Sequence, residues 1–280
     1  MLHEKIGPTK TEQLYNVPHI AGLYYYLSLA IPVYGEVLDR TMKRENRAAD
    51  ARKVEACIAF IKDSLAQKTK PEVFVRELYA GRTRYFPESS LMMDNYNAGY
   101  VTNSHGNINP LRHTCNCMVS YYEKFGFDDS ISEEQKLTEL MAVYFHDSGK
   151  AANPKEEMHP VGSVLLHRPL AVVTADILRP APEEAAEREK LHQLITFAVF
   201  FHDVAGNIDS QRLTLDEAIK LILPWNPTPE MWDSLARVQY SDMACIPNMK
   251  DIFRLSNIEK LEELRLAVTA IQSYDTEYVG

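Results

Sequence analysis

The chain has 280 residues, of which 45% are hydrophobic and 25% charged, and a formal net charge of −9. That composition belongs to an ordinary globular protein with enough chain to bury a sizeable core, as one large domain or a domain with an extension. The acidic balance excludes broad binding to duplex nucleic acid or to an anionic membrane, both of which need a basic surface; a small phosphorylated ligand stays open, because a bound metal supplies local positive charge. Four cysteines, Cys57, Cys115, Cys117 and Cys245, make no disulfide framework in a chain this long and suit a reducing compartment.

Residues 1–16 are mostly polar and lack the basic start and apolar centre of a secretory signal, so a cytoplasmic location is expected. The apolar stretch 17–38 is interrupted by Pro18, His19, Pro32 and Glu36, which makes a packed amphipathic helix the better reading than a membrane span. Helical periodicity runs over 11–40 and 46–67, the latter carried by Val54, Cys57, Ile58, Ile61 and Leu65. A short helix is predicted after Pro71, since proline suits a first helical turn. From 81 to 110 the period dissolves into Arg, Asn, Gly, Pro and Tyr, which reads as a long ordered loop leading into His113. Arg82 and Arg84 in that loop are candidate phosphate binders through their guanidinium forks; surface ion pairs are the plain alternative. Helices are then predicted over 160–178 and 183–201, broken by Pro180 and Pro182, with a polar final helix over 257–273. Strand signals are almost absent, and the expected fold is all-α.

Chemistry concentrates in Val143-Tyr144-Phe145-His146-Asp147-Ser148-Gly149-Lys150, an apolar run that ends in adjacent His and Asp. Neighbours on a helix lie about 100° apart, so the pair cannot share a face of an ideal helix. A divalent metal between them is the obvious partner for an imidazole nitrogen and a carboxylate. His113, at the start of a segment with Met118, Tyr121, Tyr122 and Phe125 at helical spacing, offers a further donor. So does Asp242, an acid inside a mostly apolar helical stretch, which needs a partner. The plain reading is that His146 only caps its helix and Lys150 complements the helix dipole. Cys117 follows His113 by four residues and would share its face, so a His-Cys zinc pair is one reading, although burial as a small core residue is the commoner role of such a cysteine. His167 lies two turns, about 12 Å, beyond His159 on a straight helix and cannot easily reach the same ion. His192 precedes His202 by ten residues and is likewise too distant.

The ordered set His113, His146-Asp147, Asp242 resembles the H...HD...D signature of the HD-domain superfamily of metal-dependent phosphohydrolases. His146-Asp147-Ser148-Gly149-Lys150 resembles its HD-x-GK string, and Met158-His159-Pro160-Val161-Gly162-Ser163 resembles the H-P-x-x-G segment that often follows. The resemblance covers roughly residues 105–250. It implies an N-terminal helical extension with the pocket loop over 1–100 and an HD-type helical domain with a C-terminal helix over 101–280. It also implies one or two divalent ions (Mn, Ni, Mg, Zn or Fe), the first held by His113, His146, Asp147 and Asp242. A second would be held by His159 and His202, with Asp147 as the bridge.

On the same resemblance Asp147 and Lys150 are the catalytic pair, Lys150 neutralising a phosphate or steadying the motif loop, and the reaction is metal-assisted hydrolysis of a nucleotide or other small phosphoester. Three departures stand out: Asp203 replaces the second of a common His-His pair, Asn109 holds the place of a glutamate one turn before His113, and Gly-Tyr-Pro is absent. They argue against a trinuclear site and leave a mono- or dinuclear one. Two other functions share these residues. HD-fold diiron oxygenases act on a small polyol or phosphonate, and a non-catalytic helical module would keep only the fold; fold resemblance alone does not separate them.

Overall fold

The computed structural model describes residues 44–95, 109–151, 159–246 and 249–278, and every regular element among them is helical. The helix expected over 11–40 lies outside the described residues. In chain order, α1 is Arg44–Ala66, α2 Pro71–Ala80, α3 Arg82–Tyr85, α4 Glu88–Met92, α5 Pro110–Phe125, α6 Glu133–Phe145, α7 His159–Leu178, α8 Ala185–Phe201, α9 Val204–Asp209, α10 Leu215–Ile222, α11 Pro229–Ala244 and α12 Asp251–Tyr278. Short 3₁₀ turns at Met93–Asn95 and Ser148–Ala151 matter for the site.

The starts of these helices follow from local chemistry. Proline at the first turn of α2, α5 and α11 gives up no hydrogen bond, because its missing N–H would be an orphan there. Asn109, Ser132, Thr214 and Thr228 each cap a helix by accepting from a backbone N–H three residues on. Asn109 takes the bond from Arg112 N at 2.7 Å, and its amide donates to Asp94 Oδ1 at 3.1 Å. This position, where the family resemblance expects a glutamate, is therefore a helix cap tied to the preceding turn.

The loop expected over 81–110 is helical in its first part, through α3, α4 and the turn Met93–Asn95. Helices of four and five residues are too short to display a period, so the sequence pattern missed them. What holds them is burial of Phe86 and Met93 in the core, a bond from Tyr144 Oη to the Tyr85 carbonyl at 2.7 Å and one from Glu88 N to Asp50 Oδ1 at 3.0 Å. The final helix also differs, running over Asp251–Tyr278 rather than 257–273. Its buried stripe is Asn257, Leu261, Leu264 and Val268, while Ile252, Phe253 and Leu255 in the added first turn are exposed.

Two cores lie among the described residues. The larger is shared by α1, α2, α5, α6, α7 and one face of α8. The smaller lies among the other face of α8 and α9 to α12. Helix α7 packs on α8, α1 and α6. It is long and apolar enough to cross a membrane by length and composition, yet 61% of that stretch is buried inside the protein.

Glu139, completely buried in α6, locks three helices together. Arg237 of α11 meets it with both arms of the fork, Nε to Oε2 and Nη2 to Oε1 at 2.7 Å each. Tyr121 Oη of α5 donates to Oε2 at 2.5 Å and Ser234 Oγ to Oε1 at 2.6 Å. Four donors of this kind compensate a carboxylate that has lost its water. Replacing Arg237 with Ala should cost about 3 kcal/mol in urea unfolding, because it strands the carboxylate, whereas the paired change Arg237→Met with Glu139→Leu should recover most of that loss.

Candidate metal centre

Helix ends, rather than helix faces, build the site. His113 stands in the first turn of α5 and Asp242 in the last turn of α11. His146 and His202 are the C-cap residues of α6 and α8, and His159 is the first residue of α7. At the end of α6 the chain turns into Ser148–Ala151, which frees Asp147 from the helical 100° step and lets both members of the pair face one point.

Asp147 stands at the centre. Its Oδ2 lies 3.6 Å from His146 Nε2 and 3.8 Å from His113 Nε2; Asp242 Oδ1 lies 2.7 Å from His113 Nε2 and 3.7 Å from His146 Nε2. The other oxygen of Asp147, Oδ1, lies 3.2 Å from His159 Nε2 and 4.0 Å from His202 Nε2, and those two nitrogens are 3.2 Å apart. Nitrogen and oxygen donors held about 2.0–2.2 Å from one ion stand roughly 3.0–3.6 Å from each other; three of these seven spacings fall in that range and the other four lie within about 0.4 Å of it.

Ring orientation supports the same reading. His146 Nδ1 lies 2.6 Å from the Val143 carbonyl and His202 Nδ1 2.8 Å from the Val199 carbonyl. A carbonyl only accepts, so each Nδ1 carries a proton and each Nε2 is turned to the site, the orientation metal-binding histidines adopt. His146 Nε2 is buried with no hydrogen-bond partner among the described residues, a cost that an ion would remove. The donor set of imidazoles and carboxylates therefore fits a divalent first-row cation.

Burial works against charge on Asp147, yet Lys150, His146 and His159 hold its carboxyl well below the usual range. Asp242 is treated alike by His113 and His146, again against burial. Burial also disfavours the His146 imidazolium, but Asp147 and Asp242 outweigh it and raise the group to about 9. His202, by contrast, is lowered to about 4 by burial and by His146 and His159 beside it, so it is neutral near pH 7. Lys150 Nζ reaches Asp147 Oδ2 at 2.8 Å, and despite its burial Asp147 and Asp242 raise its pKa.

Further contacts steady the motif. Ser163 Oγ accepts from Gly149 N at 2.8 Å and donates to the His146 carbonyl at 2.7 Å, which ties α7 to the turn after Asp147. His167 sits between Ser148 Oγ and Ser89 Oγ, the latter 3.1 Å from Nε2. Ser148 Oγ donates to the Phe145 carbonyl at 2.7 Å, so it accepts from His167 Nδ1, and Nε2 accepts from Ser89. His167 is thus a satisfied buried histidine, as its spacing implied.

Cys117 is a buried core cysteine, as expected, and it also reaches the site. Its Sγ lies 3.4 Å from His113 Nε2 and 3.9 Å from Asp242 Oδ1. His113, Cys117, His146 and Asp242 offer ligand atoms all within 4.8 Å of one another. The only sequence signal was its i+4 relation to His113. Glu139 and Arg237 were missed altogether, since a buried ion pair between distant helices leaves no local pattern.

The two arginines of the preceding segment have local partners. Arg82 Nε bonds Asp94 Oδ2 at 2.6 Å, and Asp94 also accepts from Tyr79 Oη at 2.8 Å; Arg84 stacks over Tyr85 at 5.5 Å. His192 is buried beside Glu189, 3.8 Å away, and is not among the clustered donors. Asp203 follows His202 and accepts from Asn207 Nδ2 at 3.2 Å. Burial raises its pKa.

Comparisons with protein-family models, with curated proteins and with solved structures return no match. The chain is thus an all-helical protein with a buried His/Asp cluster that can hold a metal ion.

Two outcomes follow from the motif turn. A Cβ on Gly149 would run into the His159 carbonyl oxygen and stand 2.7 Å from Ser163 N. Gly149→Ala should therefore push the start of α7 away, costing about 1–3 kcal/mol in thermal or urea unfolding. For His167, burial lowers the pKa from 6.5 to about 3. Between those values the unfolded chain binds the proton and the folded one does not, so stability is full above 6.5 and falls as pH drops. Wild type should lose about 2 kcal/mol relative to His167→Gln between pH 6.5 and 5, measured by urea unfolding.

Proposed function

We propose that this chain is an HD-type metal-dependent phosphohydrolase acting on a nucleotide or another small phosphoester. The observation that carries the reading is the orientation of Asp147, whose Oδ2 turns to His113 and His146 and whose Oδ1 turns to His159 and His202. One carboxylate between two histidine groups is the arrangement that a pair of bridged cations requires.

His113, His146, Asp147 and Asp242 would hold the first cation, and His159, His202 and Asp147 the second. Bound, such cations supply Lewis acidity toward an attacking water and a phosphoryl oxygen. The protein's own part is positional and electrostatic. Backbone carbonyls of Val143 and Val199 fix the two imidazoles. Lys150, kept protonated by the neighbouring carboxylates, offers a cation to a phosphate oxygen arriving beside Asp147. Burial of the histidines limits water and strengthens each of these interactions.

Elemental analysis of protein purified without added metal or chelator, read with its optical spectrum in air, tests the reading. One or two equivalents of manganese, nickel, zinc or magnesium, with turnover in a phosphomonoester and phosphodiester screen, is the expected result. Two irons with an absorbing ferric species and no phosphoester turnover would replace it with an oxygenase, and no uptake of metal on titration would leave a non-catalytic module. Asp147→Ala should lose both metal retention and turnover, reducing phosphoester cleavage to the level of the metal-free protein, while its far-ultraviolet circular dichroism stays helical.

A further inference from the structure

We propose that Cys117 binds the first cation as a thiolate, giving that position a mixed nitrogen, oxygen and sulfur donor set which selects zinc, ferrous iron or cobalt over magnesium and manganese. The inference rests on the metal-centre reading above and deepens it, by naming the class of ion and a ligand that the family resemblance does not supply.

Placement comes first. Cys117 follows His113 by one helical turn on α5, so both side chains project from the same face. Its sulfur stands 3.4 Å from His113 Nε2 and 3.9 Å from Asp242 Oδ1. Around one ion, a sulfur at about 2.3 Å and a nitrogen or oxygen at about 2.0–2.1 Å are separated by roughly 3.6 Å at a donor–ion–donor angle of about 110°. The observed distances bracket that value, and the sulfur also falls within 4.8 Å of the ligand atom of His146. The second observation is independent of the cysteine: His146 Nε2, buried and without a hydrogen-bond partner among the described residues, is directed into the same space. Cys57 and Cys115, equally buried, belong to the apolar core; Cys117 adds to such burial a close approach to an imidazole and a carboxylate.

Selectivity follows from donor chemistry. Thiolate is a soft ligand that suits zinc, ferrous iron and cobalt, and a poor one for magnesium, which keeps oxygen donors and water. On binding, the S–H bond is lost, its proton passes to solvent and the sulfur electron pair is donated to the ion, with no change of oxidation state.

Anaerobic titration of the metal-free protein with cobalt(II), followed by ultraviolet and visible absorption, decides the matter. Wild type should take up cobalt with a sulfur-to-cobalt charge-transfer band in the near ultraviolet. Cys117→Ser should bind cobalt without that band, and Cys245→Ser should keep it. Cobalt uptake by wild type with no such band would overturn the thiolate while leaving the histidine and aspartate centre standing. A band that survives in Cys117→Ser, or vanishes in Cys245→Ser alone, would also overturn it. No cobalt uptake at all would overturn both this inference and the metal-centre reading. If Cys117→Ser does not fold, a wild-type band that persists in Cys245→Ser carries the assignment, because Cys57 and Cys115 lie in the apolar core; excess magnesium should leave the wild-type band unchanged.

Discussion

A carboxylate with no water within reach has to be met by donors from its own protein, and Glu139 is met by three residues on two other helices. Tyr121, Ser234 and Arg237 converge on it from α5 and α11. Those helices, with α6 on which Glu139 sits, also carry His113, Asp242 and the His146-Asp147 pair. The separation of the first group of donors is therefore set about two turns away, by an ion pair whose geometry is bidentate and directional. Apolar contacts alone would let the helices slide by fractions of an ångström; a planar fork on a buried carboxylate does not.

The site repeats that logic with less compensation. It gathers two aspartates, four histidines and a lysine in a place where burial disfavours every charge. Without an ion the balance is kept internally: the lysine and the imidazoles hold both acids ionised, and the acids in turn keep His146 protonated. One nitrogen of His146 is left without a hydrogen bond. Such an arrangement costs stability unless something resident satisfies it, and positive charge at its centre would serve both carboxylates at once.

Much of this was legible from residue order, because metal donors are chemically rare and their spacing along helices is informative. His113, His146, Asp147, Asp242, His159 and His202 were all singled out as one set, and the structure gathers them. The short helices after Gly81 were not legible, since their order comes from Phe86, Met93 and the Tyr85 carbonyl touching distant residues. Nor was Glu139, whose meaning depends on Arg237 nearly a hundred positions on. Cys117 was visible as a neighbour of His113 and was weighed by what buried cysteines usually do; only its distance to Asp242, on another helix, changes that weight. Arg82 shows the reverse case, a side chain with phosphate-binding chemistry that the fold joins to Asp94.

Helix α8 belongs to both cores, turning Ile195, Ala198 and Val199 to the larger and Phe197 and Phe201 to the smaller. It ends in His202, held by the Val199 carbonyl. A wall shared in this way couples the packing of one half to that of the other, and His202, at its end, owes its place beside Asp147 to both cores.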